Sequence, residues 1–243
     1  MRAAILAGGK GTRLMPYTTT IPKPLVPVGD MAIMEIVMRQ LSRAGFDRIT
    51  VAVNHQAQLI QAFCEDGRRW GVSIDYSMEE VPLSTMGPLR LIDDLPEHFL
   101  VMNGDVLTDI NYRQFFQNHV DSGAIGTIST YKRDTKIDFG VLHFSGQANR
   151  IEAFVEKPIE HFCVSMGIYA FSRRIMDFIP EGQPFGFDDL MLSLIAEKQD
   201  VRAHPFEGYW LDIGRPDDYD RANGEIDTLM DRLLPDTRPV ETT

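Results

Sequence analysis

Ala3-Ala4-Ile5-Leu6-Ala7-Gly8-Gly9-Lys10-Gly11-Thr12-Arg13-Leu14 decides the fold. The apolar run Ala3–Leu6 is too short for a helix and breaks at once into glycines, so it reads as a buried strand feeding a loop. Without Cβ atoms, Gly8, Gly9 and Gly11 let backbone N–H groups turn inward around a polyphosphate. Arg13, and Lys23 of the following Pro22-Lys23-Pro24-Leu25, supply mobile positive charge for its oxygens. Two familiar phosphate loops fail on spacing. A Walker A loop requires Gly, four residues, then Gly-Lys-Ser/Thr, and no such run is present. A dinucleotide fingerprint counted from Gly9 and Gly11 requires a small residue where Leu14 stands. The loop is either a nucleotide-phosphate loop of another kind or a plain strand-to-helix turn carrying surface cations; spacing alone leaves both open.

Outward from this loop, strands and helices alternate. Met34–Ala44 carries apolar residues at helical spacing and ends at Gly45, a capping residue. Arg48–Val53 reads as a strand, Ala57–Cys64 as a helix, and Ser73–Tyr76 and Phe99–Met102 as further strands, the last opening into Asn103-Gly104-Asp105. This rhythm predicts an α/β fold with a doubly wound, mainly parallel sheet. Beyond about residue 120 the spacing tightens. Ala124–Tyr131, Phe139–Phe144, a turn at Gly146, Arg150–Val155 and Val164–Phe171 predict a small antiparallel portion that carries a substrate. A helix over Asp188–Lys198, a strand into Tyr209-Trp210-Leu211-Asp212, a terminal helix over Glu225–Leu234 and a frayed tail over Pro235–Thr243 complete the expectation. Residues 1–222 are read as one catalytic domain and 223–243 as terminal helix and tail.

The composition narrows the class. An apolar fraction of 44% and a charged fraction of 24% over 243 residues are those of an ordinary globular chain. A formal charge of −11 argues against a nucleic-acid partner, which would call for a basic face. The two cysteines, Cys64 and Cys163, form no CxxC and are read as reduced thiols. Residues 1–7 are too short for a signal peptide and no run of 18 apolar residues occurs, so a cytoplasmic protein without a membrane partner is expected.

Two carboxylates stand at strand ends, where ligands bind in open α/β sheets: Asp105 after Phe99–Met102, and Asp212 in Trp210-Leu211-Asp212-Ile213-Gly214. Magnesium takes one or two carboxylates together with phosphate oxygens and water, so two aspartates that converge in space would suit it. Each taken singly is a turn or cap residue as readily as a ligand.

Leu6-Ala7-Gly8-Gly9-Lys10-Gly11-Thr12-Arg13-Leu14, followed by Pro22-Lys23-Pro24-Leu25-Val26-Pro27-Val28, resembles the signature of the sugar-1-phosphate nucleotidyltransferases, and Arg13-Leu14-Met15-Pro16-Tyr17-Thr18 fits its continuation. The resemblance covers about residues 1–222. It implies that Leu6, Ala7, Gly8, Gly9, Gly11 and Thr12 wrap the triphosphate of an NTP. Arg13 would hold the phosphates of the leaving pyrophosphate, and Lys23 would lie near them. It implies that Asn103, Gly104 and Asp105 belong to the nucleotide site, and that Asp105 and Asp212 bind Mg²⁺. Phe154-Val155-Glu156-Lys157-Pro158 resembles the family's EKP motif, in which Glu156 accepts hydrogen bonds from sugar hydroxyls and Lys157 pairs with the incoming sugar 1-phosphate. Gly140, in Asp138-Phe139-Gly140-Val141, and Gly167, in Met166-Gly167-Ile168-Tyr169, resemble the glycines that border the same pocket.

Leu83-Ser84-Thr85-Met86-Gly87-Pro88-Leu89 resembles the base-contacting segment, which assigns Thr85 and Gly87 to the nucleotide; Ser84 stands where many relatives have glycine. Asn54 and His55 fall near the same base. Together with Phe154–Pro158, this segment is similar to the mannose-1-phosphate guanylyltransferase branch and implies GTP. The implied reaction is direct displacement: a sugar-phosphate oxygen attacks the α-phosphorus and pyrophosphate leaves, with catalysis by positioning and charge neutralisation through the metal, Arg13, Lys23 and Lys157. Competing readings are a thymidylyl- or cytidylyltransferase of the family, a cytidylyltransferase acting on a non-sugar phosphate, and a non-catalytic regulatory relative, which would be expected to lose these carboxylates or Arg13. A hexapeptide-repeat β-helix is not expected, and a homo-oligomer is allowed.

Overall fold

The computed structural model describes residues 1–145 and 149–235. In chain order the first half comprises β1 (Arg2–Leu6), β2 (Pro27–Val28), β3 (Met31–Ala32), α1 (Ile33–Arg43), β4 (Arg48–Val53), α2 (Ala57–Cys64), β5 (Ser73–Met78), β6 (His98–Asn103), β7 (Val106–Thr108) and α3 (Tyr112–Ser122). The second comprises β8 (Gly126–Lys136), β9 (Val141–Phe144), β10 (Ile151–Val155), β11 (Ile159–Ser172), α4 (Phe187–Ala196), β12 (Val201–Phe206), β13 (Trp210–Asp212) and α5 (Pro216–Leu233).

Seven strands form the central sheet in the order β12-β8-β11-β6-β1-β4-β5. Pairing is parallel from β6 through β5 and between β12 and β8; β11 alone runs against its neighbours. Six strands therefore end on one edge, where β11 begins. Alternation along the strands builds two cores. Ala3, Ile5, Leu100 and Met102 face α1, α2, α3 and α5, while Ala4, Phe99 and Val101 face α4. The doubly wound α/β architecture is thus present, with small antiparallel pairs β9–β10, β7–β13 and β2–β3 beside it.

Helix α1 stops as its sequence dictates. Gly45 takes φ 89°, its N–H donates to Ser42 O at 2.9 Å and that of Phe46 to Leu41 O at 2.9 Å, a Schellman closure of the last carbonyls. Three expectations shift. The strand anticipated over Val164–Phe171 begins at Ile159, because its first residues pair with β8 from Ile159↔Lys136 to Ser165↔Thr130 before a bulge. The strand expected at Phe139 starts at Val141. The terminal helix begins at Pro216, not Glu225: proline suits its first turn, Asp217 and Asp218 suit its positive end, and Ala222, Ile226, Leu229 and Leu233 form one buried stripe. The division expected at residue 222 falls inside this continuous helix. The turn at Gly146 and residues 236–243 of the tail lie outside the described residues. Among the described residues no helix is long and apolar enough to cross a membrane.

Candidate active site

The edge where β6, β1, β4 and β5 end holds a cavity of about 670 Å³, within the range of small-molecule sites. Its floor is the loop after β1. Among the described residues none of the amides of Gly8, Gly9, Lys10, Gly11 and Thr12 donates to another protein group, so five N–H groups face a ligand. The loop is pinned from behind: Thr18 Oγ1 donates to Gly11 O at 2.8 Å, and Gly11 sits at φ 61° with Thr18 and Lys23 packed where a Cβ would go. Gly104 is equally enclosed, its N–H donating to Leu6 O at 3.0 Å beneath Ile5 and Pro24.

The two aspartates, distant in sequence, meet through a short ladder. Strand β13 pairs with β7 so that Asp212 lies opposite Val106, and Ile213 N–H donates to Asp105 O at 3.2 Å. Lys23 Nζ hydrogen-bonds Asp105 Oδ2 and lies 3.7 Å from Asp212 Oδ1. The site therefore binds one cation already, an ammonium. Burial, then the neighbouring Asp105 charge, raise the Asp212 pKa, and Lys23 and Arg13 only partly offset this. Asp105 Oδ1 is buried without a hydrogen-bond partner among the described residues. A buried, unpaired carboxylate oxygen beside a second, repelled carboxylate fits a hard divalent cation. The aspartates are two, and no group of three or more acidic, His or Cys residues suited to a metal occurs among the described residues, so phosphate and water would complete such a shell.

The model of the nucleotidyl transferase family matches residues 2–228. The chain belongs to that family. Mannose-1-phosphate guanyltransferases of Candida albicans and Saccharomyces cerevisiae are 36% and 33% identical to it, in each case over 90% of this chain. The chain spans only 62% and 63% of those relatives' lengths. Among solved structures, HddC from Yersinia pseudotuberculosis has a TM-score of 0.72 at 26% identity, covering 93% of this chain and 99% of that one. A putative glucose-1-phosphate thymidylyltransferase from Bacillus anthracis has a TM-score of 0.74 at 23% identity, covering 92% and 94%, and so shares the fold. HddC has also been solved with GMP-PN, with a TM-score of 0.70 at 25% identity.

Against this family's expected residues, the cavity wall contains Leu6, Ala7, Gly8, Gly9, Gly11, Thr12, Arg13, Lys23, Thr85, Asn103 and Asp105. Asp212 adjoins it through Lys23 and through Gly214, which lines the wall. Gly87 does not. It is buried in a 3-10 turn, its N–H donates to Phe185 O at 3.0 Å, and a Cβ there would strike Leu83 at 2.8 Å; Ser84 and Pro88 line the cavity beside Thr85. Ser84 takes φ 63°, so it keeps the left-handed backbone that glycine adopts freely, at a cost of about 1 kcal/mol. Asn54 lines the cavity and its amide donates to Glu79 O at 2.9 Å; His55 is not part of the wall.

Gly167 packs at φ 75° against the Asn103 amide, tying β11 to the nucleotide side. Glu156, Lys157 and Gly140 lie on the exposed lobe formed by β9, β10 and the outer ends of β8 and β11, away from the cavity wall. Glu156 Oε2 lies 3.1 Å from the position of a Cβ on Gly140, and Lys157 turns the chain between β10 and β11 at φ 45°.

Sequence reasoning missed Glu79. It follows β5 at the far side of the cavity, with Oε2 accepting from Leu83 N–H at 2.9 Å and Oε1 lying against Gly8. Burial raises its pKa, and the Leu83 bond pulls the other way. A charged residue just past a strand looks like solvated surface; its placement comes from the end of β4, where Glu79 N–H donates to Val53 O and Glu79 O accepts from the Asn54 amide.

Proposed function

We propose that this chain forms an NDP-sugar and pyrophosphate from an NTP, with GTP preferred, and a sugar 1-phosphate of the hexose class, using Mg²⁺ held by Asp105 and Asp212. The observation that carries this reading is the convergence of Asp105, Asp212 and Lys23 beside a cavity whose floor carries five loop amides unpaired among the described residues. Its order along the sheet edge supports a direction for the substrates. The base would lie over β4 and β5, the triphosphate over β1 and β6, and the sugar phosphate toward β11 and the lobe.

Mg²⁺, when bound, would neutralise charge that develops on the triphosphate. The chain's own groups would do the rest. The Gly8–Thr12 amides orient the phosphates, and Arg13 and Lys23 hold the departing pyrophosphate. Lys157 holds the incoming phosphate so that its oxygen stands in line with the α-phosphorus. No nucleophilic side chain is required, and the proposal routes no step through a covalent enzyme adduct.

Two observations favour guanine. The mannose-1-phosphate guanyltransferases named above act, by their names, with a guanine nucleotide. Glu79 presents an acceptor-only group at the base end, and guanine alone among the common bases offers two adjacent donors, N1–H and the exocyclic N2–H₂. Uracil and thymine would offer that carboxylate a single donor, N3–H, flanked by two carbonyl oxygens that repel it.

The test is a pyrophosphate-release screen of GTP, ATP, UTP, CTP and dTTP against a panel of sugar 1-phosphates, with and without Mg²⁺. Release only when all three components are present, fastest with GTP, is expected. No release from any pairing would sink the enzymatic reading; a dTTP or UTP rate above the GTP rate would sink the guanylyl one alone. Glu79→Gln should lower kcat/KM for GTP by about tenfold or more while changing that for UTP much less.

A further inference from the structure

The two cations of the cavity stand in opposite conditions. Lys23 is already engaged: its ammonium hydrogen-bonds Asp105 Oδ2 and lies 3.7 Å from Asp212 Oδ1, and its side chain is only 11% exposed. This placement is built from the backbone up. Lys23 sits between Pro22 and Pro24 in a 3-10 turn, and its Cβ lies 3.3 Å from where a Cβ on Gly11 would stand. Its flexible four-carbon stem therefore rises between the phosphate loop and the two carboxylates. Arg13, on the loop itself, is exposed and makes no ion pair among the described residues.

We propose that Lys23 keeps the metal position closed in the nucleotide-free protein and yields it when a triphosphate arrives, so that metal and NTP enter together. The inference rests on the reading of Asp105 and Asp212 as the carboxylates that hold the metal. Competition is the first argument. The ammonium spans both carboxylates, so a dication would have to share their oxygens with a like charge a few ångströms away, in a part-buried place where water screens poorly. The second is what the ammonium leaves undone. Asp105 Oδ1 is buried without a hydrogen-bond partner among the described residues, so the pairing with Lys23 satisfies one oxygen and strands the other, which a hard cation of higher charge would take up. The third is the destination. A triphosphate docked on the Gly8–Thr12 amides and Arg13 sets anionic oxygens within reach of the Lys23 stem, beside the same carboxylates. It draws the ammonium off the aspartates and brings the oxygens that complete a metal shell in the same movement.

Titration of the nucleotide-free protein with Mn²⁺, whose free concentration is read by electron paramagnetic resonance, tests this without turnover. Lys23→Met should bind Mn²⁺ about tenfold more tightly than the wild type, or better. Lys23→Gln keeps a hydrogen-bond donor for Asp105 and loses the charge, so it should show the same gain. It is also the second variant should circular dichroism show Lys23→Met to be misfolded. Adding Asp105→Asn to either variant should abolish the gain, which locates the ion at these carboxylates. Equal Mn²⁺ affinity in the wild type and the Lys23 variants overturns the proposal, and so does a gain that survives Asp105→Asn. Neither substrate is present in this titration. Equal affinities alongside wild-type pyrophosphate release would therefore overturn the role of Lys23 and leave the proposed reaction standing; a tightened affinity without release would do the reverse.

Discussion

The two ends of the binding edge are built to different standards. At the nucleotide end, Ile5, Val51, Val53 and Met102 are fully buried, Gly104 is boxed in by Ile5, Pro24 and a backbone carbonyl, and the Gly11 loop is held by Thr18. At the lobe, every residue of β10 is exposed, and the two acidic and basic side chains of Glu156 and Lys157 rest on almost nothing. The first arrangement suits a charge-dense ligand whose stabilisation depends on dipoles fixed beforehand. The second defers its order until something, a substrate or another protein surface, covers it. Preorganisation is concentrated where phosphate chemistry needs it, and the lobe is left to be completed by binding.

The largest effects should come from the fixed end. Asp105→Asn and Asp212→Asn should each lower turnover about a thousandfold, equivalent to roughly 4 kcal/mol, with the fold intact by circular dichroism. Near-wild-type rates at saturating Mg²⁺ would remove that aspartate from the metal proposal. Next in size, Arg13→Ala and Lys157→Ala should split the two ends. Each loses about 10- to 100-fold, Arg13→Ala mainly in KM for the NTP and Lys157→Ala mainly in KM for the sugar phosphate. Equal damage to both substrates in both variants would erase the distinction drawn here.

Two glycines measure the contrast in stability directly. A Cβ on Gly104 would meet Ile5 Cγ2, Pro24 Cγ and Leu6 O at 3.2–3.3 Å, all in rigid surroundings, so Gly104→Ala should cost about 1–2 kcal/mol in denaturant unfolding. A Cβ on Gly140 would meet the Phe154 ring and Glu156 Oε2, the ends of exposed side chains that can swing aside, so Gly140→Ala should cost about half a kcal/mol or less. A reversed order would show the lobe to be the stiffer region.

An effect as small as that at Gly140 concerns Asp212 itself. Its pKa in the fold is raised above the unfolded value, so the fold favours the neutral carboxyl and the associated stability is lost as pH rises through the folded pKa. At neutral pH without ligands, Asp212→Asn should therefore raise the melting temperature, with a gain in stability of less than about 1 kcal/mol because the side chain is 44% exposed. Addition of Mg²⁺ with GTP should stabilise the wild type more than the variant. A lower melting temperature for the ligand-free variant would mean that Lys23 outweighs the repulsion from Asp105.

Much of this was legible in the chain because one residue type answered one need. Gly8, Gly9, Gly11 and Gly104 mark places where backbone must approach backbone or ligand, and the apolar runs before them could only be buried strands. What stayed hidden depended on partners remote in sequence. The outer end of β8, Lys132-Arg133-Asp134-Thr135-Lys136, lies beyond the strand expected over Ala124–Tyr131, and is a strand because β11 pairs with it. The first turns of α5 are polar and contain Gly224, so the helix was expected late; its spacing of Ala222, Ile226, Leu229 and Leu233 was the available signal. The resemblance assigns Gly87 to the nucleotide, yet its N–H is taken by Phe185 O from a distant loop.

The reversed course of β11 has one more consequence. The chain leaves the sheet along β8 and re-enters along β11 immediately beside it, with Lys136 opposite Ile159. Everything between those two residues is an excursion whose ends are already held together by a ladder that does not depend on its contents. Lengthening such an excursion costs only about 0.6 kcal/mol for each doubling, and no other strand has to be rewired to accommodate it. On the proposed role of Glu156 and Lys157, a graft at these two points, exchanging residues 137–158 for the equivalent stretch of another member, should alter which acceptor is welcomed while the nucleotide end goes on folding as before. The two proposed substrates would then be respecified one at a time.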